Sequence, residues 1–302
     1  MVLFHLLVFD YGRFCFVLSL PVSHSPVIPV SCAFPFLFLM ADLRFLSWKI
    51  RGMGSSKKRA LFFSHVRRYN PHIVCLQETH MMPANLGVFR KPWVQWASHS
   101  CHSTYSRGVS LLVHRSLRWE VDQLSVDSLG RYVFVHTFID NTPFVLPGIY
   151  NPHPATLELL HLAVTFAAGF PHARVICLGD YNLTSDPDRF HVPTPLSSTP
   201  HPTPFSSFLF EVGWLDIFRC KFPRLRLYSC YSIGCNALSR IDLACCNPLF
   251  FFFLVSNISF GARAISDHFP LLVELLLSRV LCSEIEGASF LATADWPSRS
   301  DP

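Results

Sequence analysis

The chain has 302 residues, half of them hydrophobic, enough for one large domain or two small ones with a sizeable core. Its formal net charge of +5 is mildly basic, which suits a polyanionic partner without requiring one. The 11 cysteines are odd in number and make no Cys-x-x-Cys pair, which argues against a structural zinc or a disulfide framework and for a reducing compartment.

Apolar runs at 2–9, 14–22 and 33–40 dominate the start of the chain. A secretory signal needs a basic beginning, yet the first cation, Arg13, follows Asp10. A membrane span needs about 18 uninterrupted apolar residues, and Asp10, Arg13, Pro21, His24, Pro26, Pro29 and Pro35 leave no clean window. Residues 1–42 therefore read as an extension outside the fold, with a membrane or signal role and a docked strand as alternatives. Stable membrane association is not expected.

Residues 43–50 read as a strand, and the turn Gly52-Met53-Gly54-Ser55-Ser56 is suited to cap a helix over 57–69. Ala60, Leu61, Phe63, Val66 and Tyr69 make its apolar side. Lys57, Lys58, Arg59, Arg67 and Arg68 fall elsewhere, as a solvated face or as a nucleic-acid patch led by Lys57, Lys58 and Arg59. Ile73-Val74-Cys75-Leu76-Gln77 is a second apolar strand that delivers Glu78 at its end. Residues 108–113, 119–126, 132–139 and 144–150 follow as short strands of a meander, with turns at 128–130 and 140–142. Alternation of Val133, Val135 and Thr137 with Phe134, His136 and Phe138 predicts a sheet with one buried face.

Leu157, Leu160, Ala163, Val164 and Ala167 recur at helical spacing across 156–170 and lead into the short buried strand Val175-Ile176-Cys177-Leu178. Gly179 is expected to let the backbone turn there, so that Asp180 and Asn182 emerge at the strand end. An acid and an amide on a rigid strand end suit phosphate chemistry: one orients or deprotonates a water, the other donates to a phosphoryl oxygen. The plainer alternative is a loop whose polar side chains bond its own backbone. Five prolines mark 193–204 as a loop; 205–212 reads as a helix, 249–255 as a buried strand or packed loop, and 270–277 as the closing strand. Asn182-Leu183-Thr184 and Asn257-Ile258-Ser259 fit the glycosylation pattern and are read as accidental.

Taken in order, Leu76-Gln77-Glu78, Gly148-Ile149-Tyr150, Gly179-Asp180-Tyr181-Asn182, Ser239-Arg240-Ile241-Asp242 and Ser266-Asp267-His268 resemble the marks of the endonuclease/exonuclease/phosphatase superfamily, across residues 43–277. Phe45-Leu46-Ser47-Trp48-Lys49-Ile50-Arg51-Gly52 and Leu238-Ser239-Arg240-Ile241-Asp242-Leu243 look most like the endonuclease domain of long-interspersed-element (non-LTR) retrotransposons. The resemblance implies an α/β four-layer sandwich, two packed mixed β-sheets flanked by helices as in deoxyribonuclease I, with 278–302 as a tail. It implies an endonuclease that hydrolyses phosphodiesters of double-stranded DNA with Mg²⁺, or Mn²⁺ in its place, as a nuclear or cytoplasmic monomer. By the same resemblance Asp180 aligns or deprotonates the water, Asn182 and His268 donate to phosphoryl oxygens, and Asp242 holds His268. Tyr150 would contact the scissile phosphate, Glu78 would hold the metal with help from Asp267, and Ser229 would offer its hydroxyl to the phosphate.

One departure matters. The family's first strand ends Trp-Asn-Ile-Arg-Gly, and here Lys49 replaces the Asn. An ammonium there repels Mg²⁺ by ~4 kcal/mol at about 4 Å for an effective dielectric of about 20, unless Lys49 turns to the phosphate or pairs with Glu78. His153 is a milder departure, standing where many relatives have Asn. The competing readings are an inactive relic that at most binds nucleic acid, and a secreted or membrane-tethered phosphoesterase; the latter needs a signal peptide that 1–42 does not supply.

Overall fold

The computed structural model describes residues 6–9, 13–16, 43–184, 190–191, 203–232, 237–248, 250–251 and 255–276. The chain divides into a unit at Met1–Leu39 and one at Met40–Pro302. In the first, β1 (Leu6–Phe9) pairs antiparallel with β2 (Arg13–Phe16). The rest of the expected extension, the tail at 278–302, most of the loop at 193–204 and part of the run at 249–255 lie outside the described residues.

In the second unit β3 (Leu43–Lys49) leads through α1 (Ser56–Tyr69) to β4 (Ile73–Gln77). A 3-10 helix at Pro83–Phe89 then precedes β5 (Val94–Ser100) and β6 (Val109–His114). A meander follows: β7 (Trp119–Val126), β8 (Tyr132–Ile139) and β9 (Thr142–Tyr150). Next come α2 (Glu158–Ala168), β10 (Arg174–Asp180), β11 (Phe190–His191), α3 (Pro204–Glu211), β12 (Leu215–Asp216) and α4 (Ile217–Lys221). The last strands are β13 (Cys230–Ser232), β14 (Ala237–Ser239), β15 (Asp242–Cys246), β16 (Val255–Phe260) and β17 (Leu271–Leu275).

Among the described residues, two six-stranded sheets run β16-β17-β3-β4-β6-β5 and β12-β15-β10-β9-β8-β7, beside a small β11-β14-β13 sheet. Both large sheets are mixed, because β3 runs parallel to β4 and β9 parallel to β10. Phe45, Ile73, Cys75, Val133, Leu146, Leu178, Ala244 and Val273 form one core between the sheets. Alternate residues of the same strands face outward. Leu46, Trp48, Val74 and Leu76 meet Phe62 and Val66 of α1, while Val145, Val175 and Cys177 meet Leu160 and Ala163 of α2 and Phe205 and Phe208 of α3. The result is the four-layer helix-sheet-sheet-helix order expected from the sequence.

Three local expectations change. Val133 to Thr137 of β8 are all buried, because Phe134 packs into the α2 layer while Val133 and Val135 fill the inter-sheet core; a sheet covered on both faces does not leave a polar side. On α1 the buried pair is Phe62 and Val66, one turn apart, with Phe62 against the Trp48 indole, whereas Leu61 is 47% exposed. Gly179 makes no turn: it lies inside β10, where a Cβ would stand 2.0 Å from the Ile149 carbonyl oxygen of β9. The strands β5 and β16 had no counterpart in the sequence reading. No helix among the described residues is long and apolar enough to cross a membrane.

Candidate active site

Strand register gathers the site. Asp180 pairs across to Tyr150 on one side and to Asp242 on the other, so three functional side chains stand in a row over β9, β10 and β15. Each has the parity of the inter-sheet core: Leu178 and Ile176 precede Asp180, Leu146 precedes Tyr150, and Ala244 and Cys246 follow Asp242. In the facing sheet Lys49 shares that parity with Phe45 and is the register partner of Gln77, which leads into Glu78. The polar groups thus occupy inner-face positions where the two parallel pairs end together, the place where ligands bind at strand C-termini in open α/β sheets.

Asp180 is fully buried. Its Oδ1 accepts from the Asn182 backbone amide at 3.0 Å, and its Oδ2 meets Lys49 Nζ at 2.9 Å and Asn182 Nδ2 at 3.3 Å. Asn182 Nδ2 also donates to the Asn151 carbonyl at 2.7 Å, so its amide is held from two sides. Burial raises the Asp180 pKa above the usual carboxylate range, and Lys49 opposes that shift. His268 and Asp242 form a buried pair, Nδ1 to Oδ2 at 2.7 Å, and the Trp48 indole donates to the His268 carbonyl at 3.1 Å. Burial alone would discharge the imidazole; the Asp242 carboxylate outweighs it and holds His268 protonated well above the ordinary histidine range.

Glu78 sits just past β4 with φ +50°; Arg51 and His80 beside it, and Asn182 beside Asp180, also adopt positive φ. Left-handed non-glycine residues are unusual; among the described residues these four belong to the site, while Asn70, Arg107, Asp140 and Asn141 lie in caps and loops elsewhere. The Tyr150 hydroxyl donates to Glu78 Oε1 at 2.5 Å, and Lys49 Nζ lies 3.3 Å from the same oxygen. On the other oxygen, His80 Nε2 stands at 3.7 Å and Arg51 Nε at 4.0 Å. Burial works to raise the Glu78 pKa, but His80, Lys49 and Tyr150 outweigh it and bring the carboxyl down to about 2. That stability is present above the ordinary value of 4.5 and is lost as pH falls through about 2. Glu78→Gln should therefore destabilise the protein most at neutral pH, with the gap to wild type closing at acid pH. Urea unfolding at pH 7 and pH 3 measures this, and an equal gap at both would exclude the ion cage around Glu78.

The ligand atoms of Asp180, Asp242 and His268 lie within 4.8 Å of one another, as do those of Cys230, Asp267 and His268, spacings that could hold a metal ion. The residues expected to hold magnesium, Glu78 and Asp267, do not fit a divalent cation as they stand. Lys49 is 9% exposed and joins Glu78 to Asp180, while Arg51 Nη1 bonds Asp267 Oδ2 at 2.7 Å. A buried ammonium and an exposed guanidinium already pair with the carboxylates that a hard divalent ion would need.

Other expected contacts have different duties. Ser229 is fully buried, and its hydroxyl accepts from the amides of Ile241 and Asp242, both at 3.0 Å, so it pegs the start of β15 rather than facing a phosphate. Lys58 Nζ donates to the Arg51 carbonyl at 2.9 Å, and Arg59 Nη1 to the carbonyls of Met53 and Gly54 at 2.9 and 2.5 Å; both tie down the loop before α1. Lys57 alone of the three is exposed. Arg51, His80, Asn151 and Trp48 were not assigned roles from the sequence, although three of them sit inside the quoted motifs or directly beside them. Asn151 follows Tyr150 and was overshadowed by it.

Residues 46–268 match the sequence pattern of the endonuclease/exonuclease/phosphatase family. The chain belongs to that family. Several solved structures share the fold of this endonuclease/exonuclease/phosphatase domain. An AP endonuclease, LMAP, from Leishmania major superposes with a TM-score of 0.63 at 20% identity, over 78% of this chain and 88% of that one. The catalytic domain of Xenopus laevis APE2 gives 0.58 at 18% identity, over 78% and 92%. An AP endonuclease from Archaeoglobus fulgidus gives 0.54 at 16% identity, over 76% and 98%.

Proposed function

We propose that this endonuclease/exonuclease/phosphatase-family domain binds and hydrolyses phosphodiesters of double-stranded DNA, and that it descends from a retrotransposon endonuclease. The observation that carries the reading is the convergence of Tyr150, Glu78, Asp180, Asn182, Asp242 and His268 on one rim. In this reading His268, kept protonated by Asp242, and Asn182 stabilise the phosphoryl oxygens, and Asp180 orients the attacking water. The nuclease neighbours in structure support the substrate class, and the first-strand motif around Trp48 supports the lineage. Lys49 and Arg51 hold the carboxylates expected to bind a metal, so these roles fall to the protein's own side chains.

The test is nicking of supercoiled plasmid by the full chain, in EDTA and with Mg²⁺ or Mn²⁺ added. Open-circle product that disappears in the Asp180→Ala variant supports hydrolysis. Absence of product under every condition, with retained DNA binding, would favour the second reading, an inactive binder. One observation speaks for that alternative: a buried ammonium spans the two carboxylates closest to the reaction centre.

A further inference from the structure

Lys49 lies between two carboxylates and a tyrosine ring at the strand ends. Its ammonium lies 2.9 Å from Asp180 Oδ2 and 3.3 Å from Glu78 Oε1, and 5.3 Å from the centre of the Tyr150 ring. The side chain is 11% exposed, so the charge is close to the rim without being solvated freely. The Asp180 carboxylate oxygen lies within hydrogen-bond distance of the ammonium, and Glu78 attracts the charge from the other side. The remaining exposure of Lys49 lies at the strand ends, where a phosphoryl oxygen can reach the charge. The electrostatics agree with the geometry, since burial would discharge Lys49, yet Asp180 and Glu78 more than offset it and raise its pKa.

We infer that Lys49 stands in for the divalent cation, so that the site excludes a metal at Glu78 and Asp180 and grips a DNA phosphate through its own ammonium. The inference rests on the phosphodiester-site reading above. Arg51 extends the arrangement: it is exposed, pairs with Asp267 and borders Glu78, and so adds a second, solvent-screened positive charge on the same rim. A compact, strongly hydrated ammonium can meet a phosphate as a point charge, a role that lysine fills in many phosphate sites. What it cannot do is supply the double charge of Mg²⁺, so turnover is expected to be slow beside that of a metal-loaded variant.

The experiment uses the full chain and two readouts that need no turnover. Free Mn²⁺ is followed by electron paramagnetic resonance during titration of wild type, Lys49→Asn and Lys49→Met. Binding of a labelled DNA duplex in EDTA is followed by fluorescence anisotropy. Wild type should show no Mn²⁺ uptake that depends on Glu78, and Lys49→Asn should bind Mn²⁺ about 100-fold more tightly or better, as expected from removing one charge about 4 Å from the ion. Metal-free duplex binding should weaken about 10-fold in both variants, the scale of one charge-assisted phosphate contact. Stoichiometric Mn²⁺ binding by wild type that is lost in Glu78→Gln would overturn the inference, and needs no Lys49 variant to fold. Unchanged metal-free DNA affinity in folded Lys49→Met would overturn it as well. If plasmid nicking is absent while both binding results hold, hydrolysis falls and the assignment of Lys49 stands.

Discussion

Alanine at Asp180 or at His268 should lower the rate of plasmid nicking by ~10²- to 10⁴-fold, the range expected when a positioned acid-base or oxyanion-stabilising group is lost. The two residues lie close together but are held separately: Asp180 is fixed through Lys49 and the Asn182 amide, His268 through Asp242. Because they serve one transition state, the double variant should be little worse than either single one. Asp242→Asn offers a sharper reading of the pair. It keeps the shape but removes the charge that holds His268 protonated, so activity should fall and the surviving activity should decline with rising pH from the ordinary histidine range. Initial rates of open-circle formation across pH measure both effects. Undiminished cleavage by either alanine variant would remove that residue from the reaction.

Gly179→Ala should cost about 3 kcal/mol or more of folding stability, at the upper end of overpacking penalties. The added methyl would meet the Ile149 backbone oxygen at 2.0 Å and its side chain at 2.8 Å, and a backbone neighbour in a central parallel strand cannot rotate away. Any relief must part β9 from β10, which also parts Tyr150 from Asp180. Gly87→Ala is the matching control, since nothing lies within 4 Å of its added carbon and the change there should be near neutral. Denaturant unfolding of both variants decides the matter, and equal midpoints would mean that the sheet tolerates the contact.

Gly179 also shows how the sequence can point to the right residue for the wrong reason. A glycine before Asp180 reads as a turn, because sequence shows where a side chain is missing but not which neighbour fills the space. The turn comes later, at Asn182, whose φ of +48° is accepted by a side chain able to bond its own backbone. Elsewhere, β5 apart, the long strands were legible from apolar runs with short polar ends, and the order of the motifs carried the fold. β16 stayed hidden because Val255, Ser256, Asn257 and Ser259 lack a continuous apolar run; its partner β17 supplies the pairing. Ser229 could not be separated from a phosphate donor by its type alone, since the amides that claim its hydroxyl lie twelve and thirteen residues along the chain. Lys49 was visible as an anomaly that could turn to the phosphate or to Glu78, but its pairing with Asp180 as well depends on how closely two facing sheets bring Glu78 and Asp180.

The strict pairing of Asp180 with Tyr150 and Asp242, and of Lys49 with Gln77, has a genetic corollary. Inserting or deleting one codon within β3, β9, β10 or β15 would swing every residue beyond it to the helix-covered side and empty the rim, although the composition would barely change. Two codons would restore the orientation yet displace the tip by ~7 Å, farther than any of these side chains could stretch to compensate. Length variation compatible with chemistry should therefore be confined to the connecting loops, and the strands should tolerate substitutions far better than indels.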